Sequence, residues 1–133
     1  MPEEEVVLSG IRATGRLHFG NYVGAVSKFA QLSETGEARC LFFIADLHTL
    51  TTLQEARDVQ AYLPEIVLDY LAAGVRVDKG AIIYAQSHVP EIAKLSWILG
   101  CFTPVGELIR IPTFKEKVVK TQKARGVRQE EAD

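Results

Sequence analysis

The 133-residue chain has only two cysteines, and this scarcity limits which covalent or metal cross-links it can carry. Cys40 and Cys101 each stand among apolar neighbours, without a CxxC pair or a nearby histidine at metal-ligand spacing. A disulfide framework or a structural zinc site needs more such residues at closer spacing. The cysteines therefore predict two buried free thiols in a reducing compartment, and no metal site.

The sequence also lacks long apolar stretches and an excess of positive charge. No apolar run approaches the roughly 20 residues that a membrane-spanning helix needs. The acidic cluster Glu3–Glu5 has the wrong charge for a signal or transit peptide, so we expect a cytoplasmic protein without membrane contacts. The formal net charge of −2 excludes a protein that coats nucleic acid nonspecifically. Lysines and arginines nevertheless cluster between residues 106 and 128, which suits a solvated helix face or a surface that meets a polyanion.

What the chain does contain is a regular alternation of strand-like and helix-like segments. Hydrophobic residues make up 47% and charged residues 24%, which is typical of a single globular domain. Strands are predicted from Val6, over 40–45 and over 81–85, and helices from Tyr22 to a stop at Gly36, up to Ala73 before Gly74, from Pro90 to about Gly100, and from Phe114 onward. This order predicts an α/β fold with a parallel sheet and right-handed crossovers. In such sheets, ligands bind at the carboxyl ends of the strands.

Local signals add three details to this pattern. Cys40–Ala45 is continuously apolar, which predicts a strand buried on both faces. Thr52 and Glu55 resemble a capping box at the start of the second helix, and Pro64 should kink or interrupt that helix. The charged end from Arg128 is typical of a frayed terminus or a mobile loop.

The segment that follows the first strand is rich in glycine and begins a helix. Glycines at 10, 15, 20 and 24 let the backbone approach a ligand closely, and a helix N-terminus favours a phosphate. The segment is not a Walker A loop, because Arg16 and Leu17 follow Gly15 in place of Lys and Ser or Thr. It also has no Gly-x-Gly-x-x-Gly run of the dinucleotide-binding type. Glycines alone would favour a tight βα turn, so the flanking residues decide the interpretation.

With its flanks, the segment resembles the HIGH signature of class I aminoacyl-tRNA synthetases. Further resemblances to the tryptophanyl-tRNA synthetases in that class follow in order along nearly the whole chain. The matching segments are His18–Asn21 after Gly10-x-x-x-Thr14-Gly15-x-Leu17, then Phe42–Thr51, Gln86–Glu91 with Leu95–Leu99, Gly106–Leu108 and Phe114–Lys117. The resemblance implies the first half of a Rossmann-like (HUP-type) catalytic domain over residues 1–133. Family members continue with a second half-sheet, a KMSKS loop and an anticodon-binding domain, so we expect a fragment or a truncated product.

The resemblance implies an ATP-dependent tryptophan–tRNA ligase that forms tryptophanyl-adenylate and transfers tryptophan to tRNA(Trp). It further implies ATP with Mg²⁺ as cofactor, without a protein-bound metal, and a homodimeric full-length protein. A tyrosyl-tRNA synthetase, a small adenylyltransferase with a His-x-Gly-His motif, and a non-catalytic binding module are the alternatives. The Asn21 ending of the motif and the string Asp46–Thr51 favour tryptophan.

The resemblance also assigns residues to the nucleotide. His18, Asn21 and Lys117 are the expected catalytic residues, and the expected ATP contacts are Arg12, Ala13, Thr14, Gly15, His18, Gly20, Asn21 and Lys117. Three alternatives stay open: His18 as a locally satisfied histidine at a helix start, Lys117 as a solvated lysine, and Arg12, placed in the turn, as a phosphate ligand or a solvent-exposed side chain.

For the amino acid, the resemblance implies a pocket for a large flat ring. Its expected lining consists of Leu8, Gly10, Ala45, His48 and Gln86. Asp46 and Thr51 are expected to hold the loop, Gly24 to allow helix–strand packing, and Tyr70 and Trp97 to lie in the core. His88 receives no role. The stretch Val105–Phe114 resembles a dimer contact, with core packing as the alternative.

Overall fold

The computed structural model describes residues 5–52 and 56–125. Three predicted features fall wholly or partly outside these ranges: the acidic start at Glu3, the capping partner Glu55, and the charged end from Arg128. The chain divides into two compact units, Met1–Ile92 and Ala93–Asp133. Each unit is described by itself.

The first unit is built on a three-stranded parallel sheet, which confirms the predicted α/β fold. The strands are β1 (Val6–Arg12), β2 (Arg39–Ala45) and β3 (Ile82–Ala85), in the spatial order β1-β2-β3. The register places Gly10 beside Phe43, and Phe43 beside Tyr84. β1 is longer than predicted, because its pairing with β2 continues to Arg12. Gly10 therefore lies inside a strand, and Arg12 ends the strand instead of lying in the turn.

Helical segments follow each strand. They are α1 (Phe19–Asn21), a π-helical turn (Tyr22–Val26), α2 (Ser27–Thr35), α3 (Asp46–Thr49), α4 (Ala56–Ala72), 3₁₀ turns at Val77–Lys79 and Gln86–His88, α5 (Pro90–Phe102), α6 (Val105–Leu108) and α7 (Pro112–Arg125). The predicted stops at Gly36 and Gly74 are confirmed, since both adopt a positive φ, 65° and 100°, that favours glycine. The helix α4 continues through Pro64, so the alternative that this residue interrupts the helix is wrong, while the alternative of a kink stays a prediction. Burial of Val59, Ile66 and Tyr70 on the same helix offsets the lost hydrogen bond.

The core of the first unit lies on one face of the sheet. Phe29 of α2 stacks on Phe42 of β2 with ring centroids 4.4 Å apart, and Tyr70 of α4 meets Phe29 edge-on at 5.6 Å. The Tyr70 hydroxyl donates a hydrogen bond to the Phe43 carbonyl at 3.4 Å, and burial raises the pKa of this phenol. The prediction that Tyr70 belongs to the core is confirmed.

The opposite face of the sheet is only partly covered, which corrects the prediction that β2 is buried on both faces. Residues 40, 42 and 44 are buried, whereas Leu41 and Phe43 between them are half-buried. On the same open face, Leu8 is 61% exposed and Ile82 is 44% exposed. Residues of α2 and α4 pack in one cluster with Cys40, Phe42 and Ile44, so both helices cover the same face of the sheet, as right-handed crossovers require.

Two residues expected to be buried are exposed. Cys40 is a buried free thiol as predicted, and burial raises its pKa, but Cys101 is exposed. Trp97 is 77% exposed, so the prediction that it belongs to the core is wrong. Both residues lie on α5, whose apolar composition predicts a helix but does not determine what covers it. No helix in the described ranges is long and apolar enough to span a membrane.

An ion-pair network lies at the opposite end of the sheet from the strand carboxyl ends. Arg76 contacts Glu34 at 2.8 Å and Asp78 at 2.7 Å, and Lys79 contacts Glu34 at 2.7 Å. The Arg76 guanidinium lowers the pKa of Asp78 to about 2, and the hydrogen bond from Lys79 lowers the pKa of Glu34. The network ties the end of α2 to the loop before β3.

Candidate functional site

The carboxyl ends of the three strands carry the polar segments that the sequence singled out. β1 ends at Arg12, β2 at Ala45 and β3 at Ala85. Parallel pairing brings these ends to one edge of the sheet, here called the carboxyl edge and comprising residues 12–21, 45–52 and 86–89. The edge is where an α/β sheet binds ligands.

His18 and Asn21 form a reciprocal capping box at the start of α1. The His18 Nδ1 accepts a hydrogen bond from the Asn21 N–H at 3.3 Å, and the Asn21 side-chain oxygen accepts one from the His18 N–H at 3.2 Å. A neutral imidazole that accepts at Nδ1 carries its proton on Nε2. The exposed ring therefore keeps Nε2–H as a donor, beside the first-turn amides of α1, which have no intrahelical acceptor.

Glycines shape the segment around this pair. A Cβ on Gly20 would lie 3.0 Å from the Cε1 and Nδ1 atoms of His18, so a larger residue would push the imidazole ring out of its observed position. Gly15 adopts φ 139°, a conformation that other residues rarely take. The predicted packing role of Gly24 is wrong, because a Cβ there would meet open space. Gly24 instead lies in the π-helical turn, a feature often found at functional sites.

The segment between β1 and α1 is fastened to the segment after β2. The N–H of Ala13 donates to the Thr49 hydroxyl at 2.9 Å, and the Arg12 guanidinium donates to the Thr52 hydroxyl. Ala13 has no exposed surface. Its amide is already bonded and no atom of Ala13 reaches the surface, so the ATP contact expected of this residue has no structural support here and stays a prediction. Thr14, the next residue, is exposed.

The short helix α3 is fastened to β3 on its other side. Asp46 is 6% exposed, and one of its carboxylate oxygens accepts the N–H groups of Leu47 and Ser87, both at 2.9 Å. The His48 N–H donates to the Gln86 side-chain oxygen at 3.2 Å. These bonds agree with the loop-holding role predicted for Asp46, and the Thr51 hydroxyl adds a bond to the His48 carbonyl at 2.8 Å.

The residues predicted to form the amino-acid pocket share the open face and the carboxyl edge. Strand alternation and the register place Leu8, Gly10 and Ala45 on the face away from α2 and α4. The structure also brings the backbone of His48 against the side chain of Gln86. All five predicted residues thus lie in the first unit.

Sequence reasoning missed the aromatic side chains on this open face. A Cβ on Gly10 would lie 2.2 Å from the Phe43 carbonyl oxygen and 2.7 Å from ring atoms of Phe43. Tyr84 lies beyond, with its ring centroid 6.1 Å from that of Phe43. Gly10 is therefore required by packing against β2, whatever else it contacts. The available signal in the sequence was the aromatic residue Phe43 within the predicted strand, at a position that is half-buried in the structure.

Sequence reasoning also missed Thr49, although it is completely buried at the centre of the edge. A short polar residue one helical turn after a buried strand was the only hint. Lys117 lies on α7 in the second unit and is exposed, so its place at the nucleotide stays a prediction. Within the described residues, no three His, Cys, Asp or Glu side chains are arranged to hold a metal ion.

The family comparison places this geometry in a known context. A sequence model of the family "tRNA synthetases class I (W and Y)" matches residues 2–131. Among curated proteins, the tryptophan–tRNA ligase of Rickettsia typhi is 43% identical over 90% of this chain and 35% of its own length. That of Rhodopirellula baltica is 45% identical over 86% of this chain and 35% of its own length. The chain spans about a third of these relatives.

Solved structures agree with the sequence comparison. Tryptophanyl-tRNA synthetase from Campylobacter jejuni, complexed with ADP and tryptophan, has a TM-score of 0.72 and 34% identity. The alignment covers 85% of this chain and 34% of that one. The tryptophanyl-tRNA synthetase of Mycoplasma pneumoniae has a TM-score of 0.76 at 29% identity, over 88% of this chain and 33% of that one.

Proposed function

The chain belongs to the class I tRNA synthetases (W and Y), and from this premise we propose that it serves a tryptophan–tRNA ligase. In that protein the chain is the N-terminal part of the catalytic domain, and we propose that residues 1–133 make up the first half of this domain. The reaction joins tryptophan to ATP as tryptophanyl-adenylate and then transfers tryptophan to tRNA(Trp). The observation that carries the proposal is the His18–Asn21 capping box at the carboxyl edge. The names of the relatives and the ADP and tryptophan complex of the Campylobacter enzyme support the choice of substrates.

In the first step, the tryptophan carboxylate attacks the α-phosphorus of ATP and pyrophosphate leaves. Such a displacement needs alignment and charge stabilisation rather than a covalent nucleophile. Nε2–H of His18 donates to a phosphate oxygen as negative charge develops, and Asn21 holds the ring through Nδ1. Asn21 keeps its own side-chain N–H groups as donors, because its oxygen is occupied by the His18 amide.

The remaining nucleotide contacts come from the same segment. Thr14, Gly15 and Gly20 form the backbone surface for the nucleotide, and Arg12 offers a guanidinium already oriented by Thr52. Lys117 meets the triphosphate in this proposal, supported by its match to the family lysine. Mg²⁺ arrives with the ATP phosphates, since this ion is usually held through substrate phosphates and water.

Tryptophan lies on the open face in this proposal. Leu8, Gly10 and Ala45 form one wall of the indole site, and Gln86 offers its side-chain N–H₂ to the carboxylate, because its oxygen is bonded to His48. His48 stands on α3 between two anchored residues, Asp46 and Thr49. A few polar groups at the end of an apolar wall are typical of small-molecule sites.

We further propose that the complete protein is a cytoplasmic homodimer. Its contact region includes 105–114, where Val105, Ile109 and Ile111 are each about half exposed or more, at 65%, 51% and 47%. Exposed apolar residues at this density are typical of protein interfaces. Light scattering on the complete gene product would show twice the monomer mass if this is right, and the monomer mass if it is wrong.

The experiment that tests the function is amino-acid-dependent exchange of pyrophosphate into ATP, with the complete gene product. Exchange with tryptophan and not with tyrosine supports the proposal, exchange with tyrosine alone identifies a tyrosine enzyme, and no exchange identifies a binding module. His18→Ala should lower the maximal exchange rate more than it weakens ATP binding. His88→Ala, at an exposed histidine without a proposed role, is the matched control. A His18→Ala variant with an unchanged maximal rate would remove His18 from the mechanism.

A further inference from the structure

The Thr49 hydroxyl joins two strand ends at the point where backbone pairing stops. The ladder of β1 and β2 ends with Arg12 opposite Ala45, and the chain enters α3 at Asp46. The Thr49 hydroxyl then accepts the N–H of Ala13, the first residue after β1, at 2.9 Å. The same hydroxyl donates to the Ala45 carbonyl at 2.7 Å. The Thr49 hydroxyl therefore replaces one further backbone hydrogen bond between β1 and β2.

This pair of bonds is closed to solvent. Thr49 and Ala13 both have 0% exposed surface, so water does not replace either bond if the hydroxyl is removed. A buried N–H without a partner costs about 1–3 kcal/mol, more than a typical hydrogen bond contributes. The bond between Arg12 and Thr52 spans the same gap but is exposed.

The position of α3 relative to β1 depends on this contact, because the other hydrogen bonds of α3 connect it to the segment after β3. Asp46 binds the amide of Ser87, and the His48 amide binds Gln86, so both tie α3 to β3. Thr49 is the buried tie from α3 to the β1 side. Without it, His48 remains attached to β3 and is released from the segment that carries His18.

We propose that Thr49 is a positioning residue that sets the spacing between the ATP segment (residues 12–21) and the tryptophan-binding residue His48. This inference rests on the proposed function, since it assigns ATP to one side of the contact and tryptophan to the other. Thr49 touches neither substrate, because it is completely buried. Its effect is on tryptophan binding, through the place of α3.

The test uses three variants of similar size. Thr49→Val removes the hydroxyl, Thr49→Ser keeps it, and Thr103→Val is the matched control, because the Thr103 hydroxyl makes the same bond four residues back, to Leu99 at 2.7 Å, without a cross-strand partner. Hydrogen exchange of the Ala13 amide should be slow in the wild type, in Thr49→Ser and in Thr103→Val. It should be faster by a factor of roughly ten or more in Thr49→Val.

The second measurement is tryptophan-dependent pyrophosphate exchange with the complete gene product. In Thr49→Val the KM for tryptophan should rise about tenfold, with a smaller change in kcat per folded molecule, and Thr49→Ser should restore it. A merely structural role would lower the folded fraction and leave this KM unchanged.

Two results would overturn the proposal. One is rapid exchange of the wild-type Ala13 amide, which needs no variant and so also holds if Thr49→Val does not fold. The other is a wild-type KM for tryptophan in Thr49→Val or, where that variant does not fold, in Thr49→Ala, which also lacks the hydroxyl. A protected Ala13 amide in a wild-type protein without tryptophan-dependent exchange would instead refute the proposed function, and the positioning role with it.

Discussion

Gly10→Ala is expected to destabilise the first unit, because the added Cβ has no space. It would lie 2.2 Å from the Phe43 carbonyl oxygen and 2.7 Å from two atoms of the Phe43 ring. A side chain can rotate away, but the carbonyl belongs to the neighbouring strand, so the two strands must separate locally. Overpacking of this kind costs about 1–3 kcal/mol, and a clash with backbone places Gly10 near the upper value.

Gly24→Ala is the matched control, with the opposite expected sign. A Cβ at Gly24 meets open space, and the residue lies in a helical segment without a positive φ. Alanine in an exposed helical position gains up to about 1 kcal/mol over glycine. The two variants should therefore differ in free energy of unfolding by roughly 2–4 kcal/mol, although the chemical change is the same.

Urea titration followed by far-UV circular dichroism would measure both free energies. A loss near 3 kcal/mol corresponds to a fall in Tm of roughly 15 °C for a unit of the size of Met1–Ile92. Tryptophan fluorescence is unsuitable, because Trp97 belongs to the second unit. If Gly10→Ala unfolds at the wild-type urea concentration and loses only tryptophan binding, glycine is required by the ligand and the packing argument is wrong.

Three other predictions concern the core, the ion-pair network and the pocket. Phe29→Ala should cost about 3–5 kcal/mol in urea titrations, since Phe29 is buried against Phe42 and Tyr70; a loss below 1 kcal/mol would contradict this. Because Arg76 holds the folded pKa of Asp78 at about 2, below its ordinary 3.8, Asp78 contributes stability above pH 4 that is lost as the pH falls toward 2. Asp78→Asn should therefore flatten the fall of Tm between about pH 5 and pH 2, and an unchanged slope would count against the pairing. Ala45→Leu should abolish tryptophan-dependent exchange by filling the indole volume while nucleotide binding persists; normal exchange would place the pocket elsewhere.

Local signals in the sequence predicted the elements of the first unit well. Cys40–Ala45 is apolar over a strand length and rich in aromatic and β-branched residues, and the structure has a strand there. Gly36 and Gly74 end their helices because only glycine takes their positive φ cheaply. Each of these signals acts within a few residues of the chain, which is why sequence reasoning could find them.

Features that depend on packing were predicted less well. Pro64 remains inside α4 because side chains on that helix are buried against the sheet, a contact that local propensity does not contain. Cys101 and Trp97 are exposed although their neighbours are apolar. The glycine-rich segment predicts a turn at Gly10, but the need for glycine there arises from Phe43, a residue more than thirty positions away in the chain.

The candidate site shows the same division between local and long-range information. His18 and Asn21 are three residues apart, so their capping box was accessible to a motif argument. The bonds of Thr49 to Ala13, of Asp46 to Ser87 and of Gln86 to His48 join different strand ends, and they depend on the register of β1, β2 and β3. Register in a parallel sheet is set by crossovers and packing, beyond the reach of a short pattern.

These bonds also determine which groups remain for a ligand. Strand pairing stops at the carboxyl edge, so backbone N–H groups there need other acceptors. Side-chain oxygens of Thr49, Asp46 and Gln86 accept the amides of Ala13, Leu47, Ser87 and His48. The donors left over include Nε2 of His18 and the N–H groups of Phe19 and Gly20 at the start of α1, all on the β1 side. These donors favour an anion beside β1. The bonded side-chain oxygens hold the segments after β2 and β3 in position for tryptophan, the second substrate of the proposed reaction.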